Sequence, residues 1–306
     1  MTVDLDRIAH ANLREMGDIR IDDVLSFIDR GIENMPSYMD LYRRWEAQQW
    51  AVSDLDFTLD RQDWQEATDL DRKATLWSHR LFFNGEERVT ATLAPFVWAA
   101  PTPEMEIFLS TQMVDEARHT VFFDRWWHEV AGTDAKNLGE LLVEIRPDAN
   151  EGYNELFYER LPSTAQRLAS NPKDFDAFVE GVTLYHIVIE ATIALTGQRF
   201  ELESMRDQGL NDRGFYKGFT AVARDESRHV SFGIKVLQEA VREDGERYAP
   251  LIQKTLVECL PLISGTLDPP DPSYVTEFGY TESEIVAYAM ESLNKRLRAI
   301  GINLAA

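Results

Sequence analysis

The chain has 306 residues, 44% of them hydrophobic and 11% aromatic, enough to bury a sizeable core as one large domain or two small ones. Its 53 Asp and Glu outnumber its 31 Lys and Arg, and the formal charge of -22 repels nucleic acid and anionic membrane surfaces, so no nucleic-acid partner is expected. Cys259 is the only cysteine, which excludes an intramolecular disulfide, and the opening MTVDLDRIAHANLREMGD lacks the basic and apolar regions of a secretory leader, so a cytoplasmic location is expected.

Along the chain, apolar residues recur at spacings of three and four, with few alternating stretches, which predicts an all-α fold. Helices are expected at roughly 20–31, 37–50, 60–68, 70–99, 103–131, 136–145, 148–169, 172–208, 211–242, 246–263 and 281–300. Pro101 and Pro103 separate two long segments, Asn171 and Pro172 separate two more, and Thr281 with Glu284 forms a capping box. The stretch LDPPDPSYVTEFGY from Leu267 to Tyr280 reads as the most loop-like part of the chain. Four segments, 70–99, 103–131, 172–208 and 211–242, are long enough to build a bundle, with the first sixty or so residues and the last forty as cover. No composition shift marks a boundary, so residues 1–306 are expected to form one domain with its core at roughly 70–242. The apolar run HIVIEATIALTG is interrupted by Glu190, short of the roughly 18 to 20 residues that span a bilayer, and no integral membrane segment is expected.

Two of the long segments carry the same short motif. Asp115-Glu116-Ala117-Arg118-His119 and Asp225-Glu226-Ser227-Arg228-His229 share D-E-x-R-H. Residues three apart share a helical face, so Glu116 with His119, and Glu226 with His229, each present a carboxylate and an imidazole to one ion. A dinuclear bundle needs one further carboxylate from each remaining helix. LFFNGEERVTATLAPFVW supplies Glu86 and Glu87, of which one suffices, leaving Glu87 behind the site or facing solvent; LYHIVIEATIALTG supplies Glu190. A buried carboxylate costs several kcal/mol unless it is neutralised, paired or metal-bound. Four carboxylates balance two divalent cations, and one imidazole per ion suits iron or manganese better than zinc. His10, His79 and His128 have no acid at ligand spacing; His186, four residues before Glu190, is a minor ligand candidate. Asp115 and Asp225 are placed to accept the second ring N–H of a metal-bound histidine or to pair with an arginine.

With these residues laid out, the chain resembles the ferritin-like carboxylate proteins, and within them the ribonucleotide reductase small-subunit-like ligand-binding oxidases. The matching segments are GEERVT from Gly85, DEARHTVFF from Asp115, VTLYHIVIEATIALTG from Val182 and DESRH from Asp225. The resemblance implies a ferritin-like four-helix bundle with covering helices, and an oxidoreductase that uses O2. It implies manganese and iron side by side, one held by Glu86, Glu116 and His119 and the other by Glu190, Glu226 and His229, with a carboxylate bridging them. It also implies a long-chain fatty acid bound at the metals in an apolar tunnel, an ether crosslink between Val89 and Tyr185, and a homodimer. Val89 shares the face of Glu86, but Tyr185 lies roughly 140° from Glu190 on an ideal α-helix, and a π-turn is needed to bring it round.

Two alternatives share this fold. A ribonucleotide reductase small subunit would store a radical; most carry a tyrosine four residues after the first motif histidine, where this chain has Phe123, and the stretch MESLNKRLRAIGINLAA after Tyr288 has no aromatic residue for radical transfer. A non-catalytic iron-binding bundle would be shorter, and the extra helices here are better explained as cover for a ligand cavity.

Overall fold

The computed structural model describes residues 5–146 and 150–302, and among them all regular structure is helical. Four long helices form the core: α1 (Asp69–Thr92), α2 (Pro103–Trp126), α3 (Phe175–Asp207) and α4 (Gly214–Glu243). Each start has a local cause. The Thr68 hydroxyl accepts from the Asp71 N–H in a capping box, Thr102 caps α2 with Pro103 in its first turn, and Asp174 accepts from the Ala177 N–H. At α4 the cap comes from elsewhere in the chain: Asp60 accepts from the N–H groups of Gly214 and Phe215, each at 2.9 Å.

α1 packs along α2, and α3 along α4. The second pairing is close at Gly233, where a Cβ would lie 2.2 Å from the Cβ of His186, so glycine is required there by the approach of the two helices. The core that results is almost continuous, with α4 buried over most of its length. The helices Ile21–Glu33 and Tyr38–Ala47 pack on α4, and the latter also on α2; Gly245–Leu267 and Glu282–Ile300 cover α3.

Three features refine or depart from the sequence expectation, and a fourth is the π-turn expected at Tyr185, extended over twelve residues. The segment expected at 70–99 breaks at Leu93, with a separate turn Ala94–Trp98, because Pro95 has no N–H to donate and clashes with the preceding helical turn. The stretch expected to be a loop holds the end of Gly245–Leu267 and a short helix, Pro272–Glu277, which packs on α1. The helix expected from 148 has a start that lies outside the described residues; it is seen from Glu151, becomes π-helical over Glu155–Arg160 and continues as Leu161–Ser170. Finally, α3 is π-helical from Thr183 to Ala194, between α-helical ends. α3 is also long and apolar enough to cross a membrane, but its most apolar window is 83% buried, and it serves as a central helix of the bundle.

Candidate metal centre

The two D-E-x-R-H motifs lie on α2 and α4, Glu86 lies on α1 and Glu190 on the π-helical part of α3. All six expected side chains point into one buried space: Glu86, Glu116, His119, Glu190, Glu226 and His229 are each at most 6% exposed. Their ligand atoms fall into two groups, each within 4.8 Å. Glu86, Glu116, His119 and Glu226 form one, and Glu116, Glu190, Glu226 and His229 the other. Glu116 and Glu226 belong to both, so the geometry offers two shared carboxylates and gives each position one private carboxylate and one imidazole.

The distances are those of donors gathered for ions. The Nδ1 of His229 lies 3.2 Å from Glu116 Oε1, 3.2 Å from Glu190 Oε1 and 3.3 Å from Glu226 Oε2. The Nδ1 of His119 lies 3.2 Å from Glu86 Oε2 and 3.5 Å from Glu116 Oε2. Yet His229 Nδ1, Glu190 Oε2 and Glu226 Oε2 are buried without a hydrogen-bond partner. Buried polar atoms are rarely left so, and an ion placed between them satisfies all three.

The electrostatics point the same way. Burial pushes the Glu86 carboxyl up to about 8. Burial, with the charge of Glu226, holds Glu190 well above the usual carboxylate range, and burial beside Glu116 raises Glu226. Glu116 differs: burial pushes it up, but His119 and His229 outweigh that and bring it well below its ordinary value. Both imidazoles resist charging because they are buried, yet the carboxylates, led by Glu86 at His119 and Glu190 at His229, hold them well above their ordinary value. Protons therefore do here what two divalent cations would do better, since four carboxylates and two dications sum to zero. The oxygen-rich donor set fits iron or manganese.

Behind the ligands the two aspartates are crossed. Asp225 on α4 faces His119 of α2, with Oδ2 3.4 Å from Nε2, and Asp115 on α2 faces His229 of α4 at 3.2 Å. Arg228 Nη2 donates to both, at 2.7 Å to Asp115 and 2.8 Å to Asp225. Trp45 and Trp50, from the covering segment, donate indole N–H groups to Asp115 at 3.0 Å and Asp225 at 2.8 Å. Each aspartate thus accepts from a histidine and from an arginine together, and the ring orientation of both histidines is fixed from behind.

Other side chains take up distinct places. Glu87 is half-buried and turned to Arg88, at 2.5 Å. His186 belongs to neither ligand group: its Nε2 donates to Gln112 Oε1 at 3.1 Å, and burial pushes its pKa down to about 3, so it is neutral. Gln112, which sequence reasoning missed, donates to Glu190 Oε1 at 2.9 Å. Its signal was present, an amide four residues before Glu116 on the same helical face. His10 and His128 are exposed, whereas His79 is buried against Glu201.

Tyr185 and Val89 flank the carboxylates. A helix with i to i+5 hydrogen bonds turns less per residue than an α-helix, which brings Tyr185 nearer to the face of Glu190 than α-helical geometry would. Its hydroxyl donates to Glu116 Oε1 at 2.6 Å. Val89 is buried and, with Glu86, Glu116, Glu190 and Glu226, lines an apolar cavity of about 120 Å³. The lining runs along α1 from Val89 to Trp77, twelve residues or roughly 18 Å. Leu81, Phe82, Ile189 and Ile193 form its walls, and Val275 and Phe278, from the segment expected to be a loop, form part of its cover.

Comparison with known proteins finds relatives of the same family, several of which were solved with a Mn/Fe cofactor. The sequence profile of the ribonucleotide reductase small chain matches residues 33–303. Among solved structures, a Tyr-to-Phe variant of an R2-like ligand-binding oxidase with aerobically reconstituted Mn/Fe cofactor is 28% identical, with a TM-score of 0.74 over 88% of this chain and 94% of that one. A Gly-to-Leu variant with anaerobically reconstituted Mn/Fe cofactor is 28% identical, with a TM-score of 0.75 over the same shares. A Val-to-Ile variant, aerobically reconstituted, is 27% identical with a TM-score of 0.75, over 88% of this chain and 95% of that one.

Proposed function

We propose, from the premise that this chain belongs to the ribonucleotide reductase small-chain family, that it is an oxidase of the ligand-binding kind, activating O2 at a manganese–iron pair beside a bound long-chain fatty acid. The observation that carries this reading is the cavity: the metal-ligating carboxylates open directly onto an apolar space that reaches well beyond the site. A radical-storing subunit has no need of such a space, and Phe123, which stands where most such subunits have tyrosine, is packed among Phe82, Phe83 and Phe219 with no polar atom to oxidise. A bundle that merely stores iron likewise leaves the cavity unexplained.

Glu86 and His119 would hold one ion, Glu190 and His229 the other, and Glu116 and Glu226 would be shared. The ions would supply the redox chemistry by which O2 is reduced. The chain's own residues do the rest. The apolar walls exclude water, and a fatty acid would lie in the cavity with its carboxylate toward the ions. Glu116 Oε1 holds the Tyr185 hydroxyl and is placed to take its proton. An ether between Val89 and Tyr185 forms a C–O bond and breaks a Val89 C–H and the Tyr185 O–H; the two electrons and two protons go to O2. A homodimer is supported by the outer face of α2. Ile107, Val114 and Val121, seven residues apart, are 41%, 49% and 50% exposed, and Ser110 and Ala117 between them add no charge.

The test is peptide mass spectrometry on protein loaded with manganese and iron and exposed to air. The expected product joins the Val89 peptide to the Tyr185 peptide with two hydrogens lost. Both peptides recovered free from fully loaded protein would reject the crosslink and favour a radical-storing subunit or a different oxygenase.

A further inference from the structure

Away from the metals the polar side chains lining the cavity are Ser78 and Glu201 on the bundle helices, Thr266, and Tyr153, whose hydroxyl is already engaged with the Leu81 carbonyl at 2.8 Å; only Ser78 and Glu201 form a connected cluster that includes a carboxylate. Glu201 on α3 accepts from the Ser78 hydroxyl at 2.6 Å through Oε2 and lies 2.6 Å from His79 Nε2 through Oε1, and both Ser78 and Glu201 line the cavity. His79 is fixed in turn, stacked on Phe215 at a ring separation of 4.1 Å and edge-on to Trp126 at 4.2 Å. Ser78 stands eight residues before Glu86 on α1, roughly 12 Å along the axis, and Glu201 eleven residues after Glu190 on α3. The two helices run in opposite directions, so both displacements lead to the same end of the cavity. Between this point and the metal carboxylates the walls are apolar, with Leu81, Phe82, Gly85, Ile193, Ala194 and Gly197 on α1 and α3.

A buried carboxylate facing an apolar ligand space is costly unless its remaining lone pairs are used. Ser78 and His79 each engage one oxygen of Glu201, and each oxygen keeps a free lone pair. Ser78 Oγ, having donated its hydrogen to Glu201, also keeps acceptor capacity. The group that matches this arrangement is a hydrogen-bond donor at a fixed distance from the metal-bound head.

Resting on the ligand-binding reading above, we infer that the natural ligand is a bifunctional chain, carrying a hydroxyl roughly 12 Å from its carboxylate, which the Ser78, His79 and Glu201 cluster receives. Discrimination follows from the asymmetry of polar sites: an unsubstituted chain leaves the cluster facing methylene groups, while a hydroxylated one satisfies it. Ser78 and Glu201 would thus set specificity at the far end of the cavity without touching the metals.

The experiment measures dissociation constants of decanoic acid and ω-hydroxydecanoic acid on the metal-loaded protein by calorimetry. The wild type is expected to bind the hydroxy acid at least tenfold more tightly. Ser78→Ala should reduce that ratio, and a variant combining Ser78→Ala, His79→Phe and Glu201→Leu, which replaces all partners by apolar groups, should abolish it and bind decanoic acid at least as tightly as the wild type, because no polar group is left facing its methylene groups. Equal affinities in the wild type would overturn the inference without touching the oxidase reading. A preference that survives in both variants would overturn the assignment to these residues. Failure of both acids to bind would overturn the ligand-cavity reading and this inference with it.

Discussion

The crossing of the aspartates makes a prediction that sequence neighbourhood would make the other way round. Asp225 is four residues before His229 but stands behind His119, so Asp225→Asn should weaken the ion held by Glu86 and His119. Asp225 is fully buried; its Oδ2 accepts from Trp50 and lies within 3.4 Å of His119 and Arg118, while its Oδ1 accepts from Arg228. Asn keeps the volume but turns an N–H2 toward donors on one side, whichever way the amide is set. Loss of such a partner costs tenfold to a hundredfold in metal affinity, or about 1.4 to 2.8 kcal/mol. The assay is chelator-competed Mn(II) titration in two single-position backgrounds. In Glu190→Ala, which leaves the position of Glu86 and His119, Asp225→Asn should cost the full factor. In Glu86→Ala, which leaves the position of Glu190 and His229, it should cost under about threefold, and Asp115→Asn should carry the large effect instead. The same loss in both backgrounds, or the larger loss in Glu86→Ala, would refute the crossed arrangement.

Further outcomes follow from the same geometry. Glu116→Ala or Glu226→Ala should abolish two-metal loading, read as metal content per chain, because each carboxylate belongs to both positions. Val89→Ala should retain both ions yet yield no ether-linked peptide on mass spectrometry; persistence of an equivalent link would mean that another residue is the partner. Metal-free protein should lose thermal stability as pH rises above the ordinary carboxyl value of 4.5 and through about 8. Glu86 is raised in the folded chain by burial, so its contribution is complete below its unfolded value and lost as it is forced to ionise. Two bound dications should flatten that slope. Gly233→Ala should destabilise the fold by about 1 to 3 kcal/mol in denaturant titrations, since its methyl would meet His186 across the contact of α3 and α4.

Much of the site could be read from the sequence because its grammar is local. Spacing of three on a helix puts Glu116 with His119 and Glu226 with His229, and a lone charge in an apolar helix exposes Glu190. What escaped was set by tertiary contact. The crossing of Asp115 and Asp225 depends on how α2 faces α4. The role of Gln112 depends on its reach to Glu190, and the pairing of His79 with Glu201 joins residues 122 apart in the chain. Periodicity also reads apolar helices as α, so the π-helical Thr183–Ala194 could be anticipated only as the turn that Tyr185 would need. The proline-rich stretch from Leu267 read as a loop, yet Pro272 begins a short helix whose Val275 closes on the cavity.

The most direct test of the account is a crystal structure of the metal-loaded protein with anomalous difference maps collected on both sides of the manganese and iron absorption edges. Two peaks are predicted, both bridged by Glu116 and Glu226, one completed by Glu86 and His119 and the other by Glu190 and His229. A single peak, or two peaks with Glu226 turned away from one of them, would contradict the shared-carboxylate centre on which the proposed function rests.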